Sequence, residues 1–558
     1  MKRSIEAATS TNYDMVIIGG GIFGVCAAWD AVLRGYKVAI IERNDWGGGA
    51  SANCFKMVHG GIRYIQHGDI VRLRGSCAER SAFLRVAPHL VEPLPIVIPT
   101  YGHGMKGKEV LAAGMYAYDL LTLDRNRGIP DDERKIKWSK LIGRDDLMEQ
   151  FPGLDSNGLT GGALFCDGQM YSPPRLVLAF LRSAVDAGVC ALNYAEAVGL
   201  TMSDKQVTGV EVKDNLSGDK FTINARCVIN SAGPWSEGIL EKSLNLKLNP
   251  VGVFSRDACF IIKKQHVKNF ALALQGQTSD PDALLSRPAR HLFIVPWRDV
   301  NLVGVWHVVF KEKPDEYKME EKELQTFIDE VNWSCPSLEL SMDDVTMWNA
   351  GLVPFGDNDP EATNLSYGKR SRLIDHKTEH GISGLVSLVG IRYTMGRGDA
   401  QKAVNLAEQQ LGENRSQPKT DWLPVYGGDF TSFETLQKDI QQKLDLPKDD
   451  SLLIKSVAHN YGSKYTELQS YQQRYTGVIS NSAVLKAEVA HAIKEEMAYT
   501  LSDVVFRRTD LATAAHPGEA ALIECAEIMA KELGWDENKN QQELINTNAA
   551  LAFQTKGS

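Results

Sequence analysis

Apolar and polar positions near the N-terminus follow the pattern of a strand, a helix and a second strand. The segment DMVIIG at 14–19 is a short apolar run of the kind that forms a buried parallel strand. The following segment, VCAAWDAVLRG, has helical periodicity and ends at Gly35, and KVAIIE then leads to Glu42. The pattern therefore predicts a complete βαβ unit.

The junction between the first strand and the helix is rich in glycine. Gly19, Gly21 and Gly24 satisfy the spacing GxGxxG, which permits a tight turn and a close approach of the backbone to a pyrophosphate at the helix N-terminus. Glu42 is placed to accept hydrogen bonds from ribose hydroxyls. The motif predicts dinucleotide binding without choosing between NAD and FAD; the alternative is a tight turn of any α/β protein.

Apolar runs that lead into small-residue turns recur twice further along the chain. ARCVINSAGPWSEGI at 225–239 and GLVSLVGIRYTMGRG at 384–398 each have the pattern of a strand followed by the start of a helix. From about residue 430 onward helical periodicity dominates, as in DSLLIKSVAHNYGS. We therefore predict an α/β part followed by an all-helical domain, with GENRSQPKT at 412–420 as the linker.

The composition narrows the class of protein. A length of 558 residues predicts two or three structural units, and 43% hydrophobic with 23% charged residues is typical of a globular protein. The formal charge of −9 disfavours a nucleic-acid binder, and the nine cysteines form no CxxC pair, so neither a zinc site nor a disulfide framework is indicated. We therefore expect no metal site. Because the sequence has no signal segment and no membrane-spanning run, we expect a cytoplasmic protein.

Several segments carry a resemblance to a known family. INSAG and GIRYT resemble the strand-and-turn segments of the FAD-dependent D-amino acid oxidase superfamily. Within it, ASANCFKMVHGGIRYIQHGD, FIVPWRDVNLVG and TLSDVVFRRTDLA look like the FAD-dependent glycerol-3-phosphate dehydrogenases, and the likeness runs from about residue 13 to 530. The resemblance implies noncovalent FAD, although His59 and Cys54 lie near the predicted flavin and leave covalent attachment open.

The resemblance also implies an α/β fold with three parts. A discontinuous FAD-binding domain, Rossmann-like and of the GR2 type, would comprise 13–95, 160–245 and 382–415. A substrate domain built on an antiparallel sheet would comprise 96–159 and 246–381. The helical C-terminal domain would span 425–558.

The resemblance assigns a set of cofactor-binding residues. Gly390 to Thr394 would present amides and a helix N-terminus to the flavin C2 carbonyl, where reduced flavin carries negative charge. The complete predicted set is Gly19, Gly21, Ile22, Phe23, Gly24, Glu42, Arg43, Ser51, Lys56, Met57, His59, Val198, Ala232, Gly233, Gly390, Arg392, Tyr393 and Thr394.

The segment VHGGIRYIQHGD at 58–69 is the main catalytic candidate. Dehydrogenation of a secondary alcohol needs a carbon held over flavin N5, a base for the hydroxyl proton and a positive charge that binds the substrate. His59, Arg63 and Tyr64 could supply these groups, and Gly60 and Gly61 would permit close approach to a planar ring. The alternative is structural: His59 would bind a buried carbonyl and Arg63 would form an ion pair.

Three positions depart from the family pattern. Arg392 stands in GIRYT where the family has lysine, so it would stabilise an alkoxide or the reduced flavin rather than act as a base. His307 ends LVGVWH where the family has GTTD, and its role, catalytic or structural, stays open. Val353, in NAGLVPFGD, replaces a family arginine that contacts substrate, and so removes a charge-assisted contact to a phosphate.

Further positions bear on the substrate. Tyr171 and Ser172, in FCDGQMYSPPRL, replace an acid of the family pattern and predict a reshaped turn. The remaining candidates for binding an anion, which could equally be solvated surface charges, are Arg287, Arg290, Arg370 and Arg372.

The function expected from these features is FAD-dependent oxidation of a secondary alcohol of glycerol 3-phosphate or of a related small polyol or anionic substrate, with hydride transfer to flavin N5. The alternatives are an FAD-dependent amine or amino-acid oxidase and a flavin-binding scaffold with low turnover. The resemblance implies a quinone or another electron acceptor, peripheral contact with the inner membrane surface, and a homodimer as one option. EVLAAGMYAYDLLTLDRNRG, with Lys106 and Lys108 before it, predicts either an amphipathic docking helix or a core helix.

Overall fold

The computed structural model describes residues 1–65, 68–103, 108–248, 254–279, 289–316, 320–354 and 371–554. At Arg63, Ile65, Thr278, Ser279, Ala289, Arg290, Glu316 and Phe553 the description covers the backbone alone.

The strands in these ranges are β1 (Tyr13–Ile18), β2 (Val38–Ile41), β3 (Met57–Val58), β4 (Val91–Tyr101), β5 (Lys140–Ile142), β6 (Leu159–Met170), β7 (Cys190–Leu192), β8 (Ala195–Ser203), β9 (Gln206–Asp214), β10 (Lys220–Asn230), β11 (Phe254–Ile262), β12 (Ala271–Ser279), β13 (Ala289–Trp297), β14 (Val300–Phe310), β15 (Val345–Pro354), β16 (Arg372–Asp375) and β17 (Leu385–Val389).

The α-helices are α1 (Ile5–Thr9), α2 (Ile22–Leu33), α3 (Ile70–Val86), α4 (Lys108–Leu121), α5 (Arg144–Gln150), α6 (Pro173–Asp186), α7 (Ser236–Leu244), α8 (Glu321–Ser334), α9 (His376–His380), α10 (Gly396–Leu411), α11 (Phe433–Lys443), α12 (Ser451–Tyr461), α13 (Gln469–Gln472), α14 (Lys486–Glu495), α15 (Leu501–Asp503), α16 (Glu519–Leu533) and α17 (Glu537–Gln554).

The first sheet has the strand order β16-β17-β10-β1-β2-β7. Its strands are parallel from β17 to β7, β16 is an antiparallel edge, and β9 and β8 extend β10 as an antiparallel meander. All four residues of β2 are buried, because helices cover a parallel sheet on its faces and its strands are continuous apolar runs. α2, α6 and α10 provide this cover, so the predicted βαβ unit forms the centre of the sheet.

The second sheet has the order β15-β11-β14-β13-β12-β4-β6-β3, with β5 paired to β6. Its pairs are antiparallel except β12 with β4, which is parallel. The predicted fold class, an FAD-type α/β sheet interleaved with a largely antiparallel sheet and followed by helices, is confirmed.

Two predicted segment boundaries differ from the sheet in which the strands lie. β6 was assigned to the FAD-binding segment 160–245, but it pairs with β4 along its whole length, from Val91 opposite Met170 to Tyr101 opposite Leu159. β16 was assigned to the substrate segment 246–381, but it pairs with β17 in the first sheet. An apolar run does not specify which sheet it joins, because pairing partners are set by contacts distant in sequence.

The helical C-terminal region is joined to the first sheet by buried ion pairs. Arg175 of α6 binds Glu496 at 2.7 Å, and Arg508 binds Asp45, just beyond β2, also at 2.7 Å. Removal of one partner of such a pair strongly destabilises the protein, because the remaining charge stays buried. The helices are therefore held on the α/β part by buried charge pairs.

The segment predicted as a docking or core helix forms α4. Met115 and Tyr118 are buried on one side of it, whereas Leu120 is 65% exposed on the other. Lys106 lies outside the described residues. Across the described part of the chain, α-helices are too short or too polar to cross a bilayer.

Glu488 of α14 is a buried acid within the helical region. Its Oε1 accepts a hydrogen bond from the amide of Leu485 at 2.8 Å. Burial raises the pKa of this carboxyl from its usual 4.5 to about 8. The folded chain therefore holds a proton on Glu488 at neutral pH.

We expect Glu488→Gln to raise the free energy of unfolding at pH 8 and to change it little at pH 4. The unfolded carboxyl loses its proton near its usual pKa of 4.5 and the folded one near 8, so wild-type stability falls as the pH rises through this window. Glutamine keeps an acceptor for Leu485 and carries no charge. The change in the free energy of unfolding caused by the substitution, measured by denaturant titration, should be roughly 1–3 kcal/mol larger at pH 8 than at pH 4. An equal change at both pH values would contradict the expectation.

Candidate cofactor and active site

The glycine turn between β1 and α2 is closed by two close contacts. A Cβ on Gly24 would lie 1.9 Å from the carbonyl oxygen of Gly19, so the helix and the strand approach closely only with glycine there. Glu42 Oε2 accepts a hydrogen bond from the amide of Gly20 at 2.7 Å. Burial raises the pKa of Glu42, and its hydrogen bonds from backbone amides oppose this shift. The acid at the end of β2 is thus held beside the turn.

The N-terminus of α2 faces a serine from the loop after β2. Ser51 Oγ accepts a hydrogen bond from the amide of Ile22 at 3.0 Å, and the N-cap residue Gly21 has no side chain that could cap the helix. A helix start with free amides and glycine at its cap favours an anion such as a pyrophosphate. The local geometry therefore fits the predicted dinucleotide site.

A cavity of about 1440 Å³ runs from this turn to the His59 loop. It exceeds the roughly 300–1,000 Å³ of an ordinary ligand pocket and so has room for a dinucleotide beside a substrate. The predicted site residues that line it are Gly19, Gly21, Ile22, Phe23, Glu42, Arg43, Ser51, Met57, His59, Tyr64, Val198, Ala232, Gly233, His307, Gly390, Arg392 and Tyr393.

Three predicted cofactor-binding residues do not line this cavity. Gly24 packs against Gly19, and Thr394 Oγ1 accepts a hydrogen bond from the amide of His59 at 3.2 Å. Lys56 Nζ instead binds Asn349 Oδ1 at 2.8 Å and lines a second cavity of about 390 Å³. Gly24 and Thr394 therefore shape the site, while Lys56 points away from it.

The His59 loop is held by a buried charged cluster that sequence reasoning missed. The amide of Gly60 donates to Asp167 Oδ1 at 2.6 Å, and Arg80 pairs with the same carboxylate at 2.8 Å. A Cβ on Gly60 would lie 2.3 Å from Tyr118 Oη. Gly60 therefore makes room for Tyr118 and not for the planar ring that the sequence predicted. Gly61 does line the cavity.

Two arginine side chains contact Tyr64 at the His59 end of the cavity. Arg392 Nη1 donates to Tyr64 Oη and also to Ser76 Oγ, the latter at 3.2 Å. The guanidinium of Arg72, which also lines the cavity, lies 5.0 Å from the centre of the Tyr64 ring. The side chain of Arg63 lies outside the described residues. Two cations, one of them unpredicted, therefore face the predicted substrate end.

His307 forms a pair with an aspartate of the neighbouring strand. Its Nδ1 lies 2.8 Å from Asp257 Oδ1, which also accepts from Ser255 Oγ at 2.6 Å. Both members of the pair line the cavity. A proton on Nδ1 makes Nε2 the basic nitrogen, which is the tautomer that a general base requires.

Among the anion-binding candidates Arg287, Arg290, Arg370 and Arg372, only Arg372 has a described side chain, and it does not line the cavity. Arg372 donates to the carbonyl of Leu248 at the edge of the first sheet. Arg287 and Arg370, and the side chain of Arg290, lie outside the described residues. Val353 does line the cavity, so an isopropyl group occupies the place of the arginine implied by the resemblance.

Tyr171 and Ser172 lie at the boundary with the helical region. Tyr171 Oη donates to Asp510 Oδ2 at 2.7 Å, and its ring stacks on His459 at 3.9 Å. Ser172 Oγ accepts from the amide of Arg175 and caps α6. These residues anchor the helices and do not line the large cavity.

Cys54 lines the cavity near the predicted flavin. Burial raises the pKa of its thiol to about 11. A protonated thiol is a poor nucleophile, which disfavours this residue as a covalent attachment point.

These features together define a dinucleotide-dependent oxidoreductase. The glycine turn, the acid at the end of β2 and the size of the cavity fit FAD, and the opposite end carries histidine, arginine and tyrosine side chains suited to a redox substrate. Residues 14–391 match the model of the FAD dependent oxidoreductase family, and the chain belongs to that family. Residues 418–540 match the C-terminal domain of alpha-glycerophosphate oxidase.

Named relatives cover nearly the whole chain. A glycerol-3-phosphate dehydrogenase of Synechocystis is 28% identical over 97% of this chain and 97% of its own length. The human mitochondrial glycerol-3-phosphate dehydrogenase is 29% identical over 98% of this chain and 74% of its own length. The structure of glycerol-3-phosphate dehydrogenase from Bacillus halodurans with FAD has a TM-score of 0.75 at 22% identity, covering 99% of this chain and 96% of that one. The predicted family resemblance, the FAD cofactor and the oxidoreductase class are confirmed.

We expect Gly24→Ala to lower FAD affinity by at least about tenfold, because its methyl group would separate α2 from β1 and displace the amides that face the pyrophosphate. Gly114→Ala is the matched control, since among the described residues no atom lies within 4 Å of a Cβ at that helical position. The control should keep wild-type affinity and gain roughly 0.5–1 kcal/mol of stability. Flavin absorbance and FAD titration measure both; wild-type affinity in Gly24→Ala would contradict the assignment.

Proposed function

We propose that this protein is an FAD-dependent dehydrogenase that oxidises a secondary alcohol of glycerol 3-phosphate or of a related small polyol or anionic substrate. The observation that carries the proposal is the single cavity in which the glycine turn lies at one end and His59, Tyr64, Arg72 and Arg392 lie at the other. Electrons would leave to a quinone or another acceptor.

Bound FAD supplies a two-electron acceptor for the hydride of the carbinol carbon. The residues of this chain bind and orient the alcohol. Arg72 and Arg392 provide the positive charge that an anionic substrate requires, and the bond from Arg392 to Tyr64 fixes the orientation of both side chains.

The hydroxyl proton of the substrate needs a base near the same cavity. We assign this role to His307, because Asp257 orients its ring and would stabilise the imidazolium that forms. His59 is the competing candidate, since it also lines the cavity and follows the family pattern.

Substitution of His307 by glutamine should slow flavin reduction by about 10²- to 10⁴-fold and abolish the rise of the rate with pH, because the base would be absent. Asp257→Asn should shift that rise and keep part of the rate. Stopped-flow reduction under anaerobic conditions measures both, with FAD content as the control for folding. If His59→Gln abolishes the pH dependence and His307→Gln retains it, the base is His59.

Val353 offers a test of the position of the substrate phosphate. The resemblance implies an arginine at this position, so we expect Val353→Arg to lower the KM for glycerol 3-phosphate by about tenfold or more through a charge-assisted contact. Val353→Leu adds bulk without charge and is the matched control. Equal KM values in the two variants would mean that the phosphate lies elsewhere.

The substrate class is tested by adding candidate substrates to the purified holoenzyme without oxygen. Glycerol 3-phosphate or a small polyol should bleach the flavin, and amines and amino acids should not. Bleaching by amines alone would favour the amino-acid oxidase alternative, and bleaching by none of the panel would favour the low-turnover scaffold. Release of hydrogen peroxide in air would identify an oxidase rather than a dehydrogenase.

Contact with a membrane surface, where a quinone would accept electrons, is supported by an apolar exposed patch. Val71 at the start of α3 is 79% exposed, and Leu120 in α4 and Leu123 just beyond it are 65% and 64% exposed. Arg74 joins these two helices through a 2.6 Å bond to the carbonyl of Leu121. Exposed apolar side chains beside a basic residue are the kind of group that inserts at a lipid headgroup boundary.

A further inference from the structure

The helical C-terminal region contributes part of the wall of the large cavity. Thr500, Ser502 and Arg507 line it together with Asn44 and Tyr194 of the α/β part. Asn44 lies two residues after Glu42, and its amide donates to Glu42 Oε1 at 3.0 Å. The helices therefore reach the end of the cavity where the ribose-binding acid lies.

Two adjacent arginines of this region bind one aspartate beyond β2. Arg508 binds Asp45 through two bonds, both of 2.7 Å, and Arg507 Nε binds the same carboxylate at 2.6 Å. Asp45 is 2% exposed, so its carboxylate is largely shielded from water, whereas the side chain of Arg507 is partly exposed to the cavity. Charge-assisted, multiply bonded contacts of this kind fix side-chain geometry.

The two arginines differ in what they present to the cavity. Arg508 also donates from Nε and Nη2 to the carbonyl of Glu496, so every one of its nitrogens is engaged, and its side chain is 1% exposed. Arg507 donates from Nη2 to Asp503 at 2.6 Å, while its Nη1 has no hydrogen-bond acceptor within the described residues. Arg507 lines the cavity and Arg508 does not.

We propose that Arg507 is a ligand of the ADP half of FAD, so that the helical region completes the cofactor site. Its Nη1 would donate to an oxygen of the adenosine-side phosphate or of the adenosine ribose, which are groups that the neighbouring glycine turn and Glu42 are placed to bind. The proposal rests on FAD binding and is independent of the substrate proposed above.

The surroundings of Arg507 make it an oriented donor rather than a mobile charge. Asp45 and Asp503 balance the charges of Arg507 and Arg508, so the cluster adds no net charge to the cavity. Two of the three nitrogens of Arg507 are held by these carboxylates, and the third is thereby fixed in direction before the cofactor binds. A preorganised donor loses little entropy on binding.

The test compares FAD, ADP and FMN binding to the full-length chain after removal of its flavin. Arg507→Ala should weaken FAD and ADP by the same factor, about 10- to 100-fold, because a hydrogen bond to a charged acceptor is lost. FMN lacks the adenosine and its phosphate, so its affinity should be the same as for the wild type. An equal loss for FMN, or no loss for ADP, would overturn the proposal.

Arg508→Lys is the matched control, since Arg508 binds the same Asp45 without lining the cavity. It should lower the unfolding temperature of the flavin-free chain and leave the ratio of ADP to FMN affinity unchanged. If Arg507→Ala does not fold, Arg507→Lys replaces it, because lysine keeps the charge but cannot engage three acceptors in one plane. ADP should protect the helical region of the wild type from proteolysis and should not protect it in either Arg507 variant; protection of the variants would overturn the proposal.

Discussion

The close contact between the start of α2 and the end of β1 is the constraint on which the rest of the site depends. Gly24 brings the helix against the carbonyl of Gly19, and Glu42 holds the amide of Gly20 at 2.7 Å. Because parallel pairing fixes β1 against both β2 and β10, this contact also sets the position of the turns that follow those strands. The position of the cavity walls therefore depends on the glycine turn between β1 and α2.

Around that turn, residues distant in sequence meet because the chain passes repeatedly between two sheets. The His59 loop is held by Asp167 of the second sheet and by Thr394, which follows β17 of the first sheet, so this end of the cavity is fixed by both layers. The helical region adds a third support through Asp45. Orientation of the reacting groups thus comes from several elements that each hold one side of the cavity.

The local features of this architecture could be predicted from sequence, and the tertiary pairings could not. The βαβ unit, Glu42 and the helical C-terminal region follow from periodicity and glycine spacing, which act within short stretches. The partnership of His307 with Asp257 depends on the register of β11 and β14, and that of Gly60 with Asp167 depends on β6 lying in the second sheet. β11 and β14 are not consecutive in the chain, so no hairpin turn fixes their register. The same reason explains why the orientation of Lys56 toward the second cavity was not foreseen.

The order in which the cavity walls appear along the chain has a consequence for biosynthesis. Its lining begins at Ile18 and ends at Arg507, so a nascent chain on the ribosome carries the glycine turn long before the last wall has been translated. Domains generally fold from the N-terminus as synthesis proceeds. A cavity lined by residues from both the N-terminal and the C-terminal parts of the chain cannot be completed in that way. The complete cavity can therefore form only after nearly the whole chain has been translated.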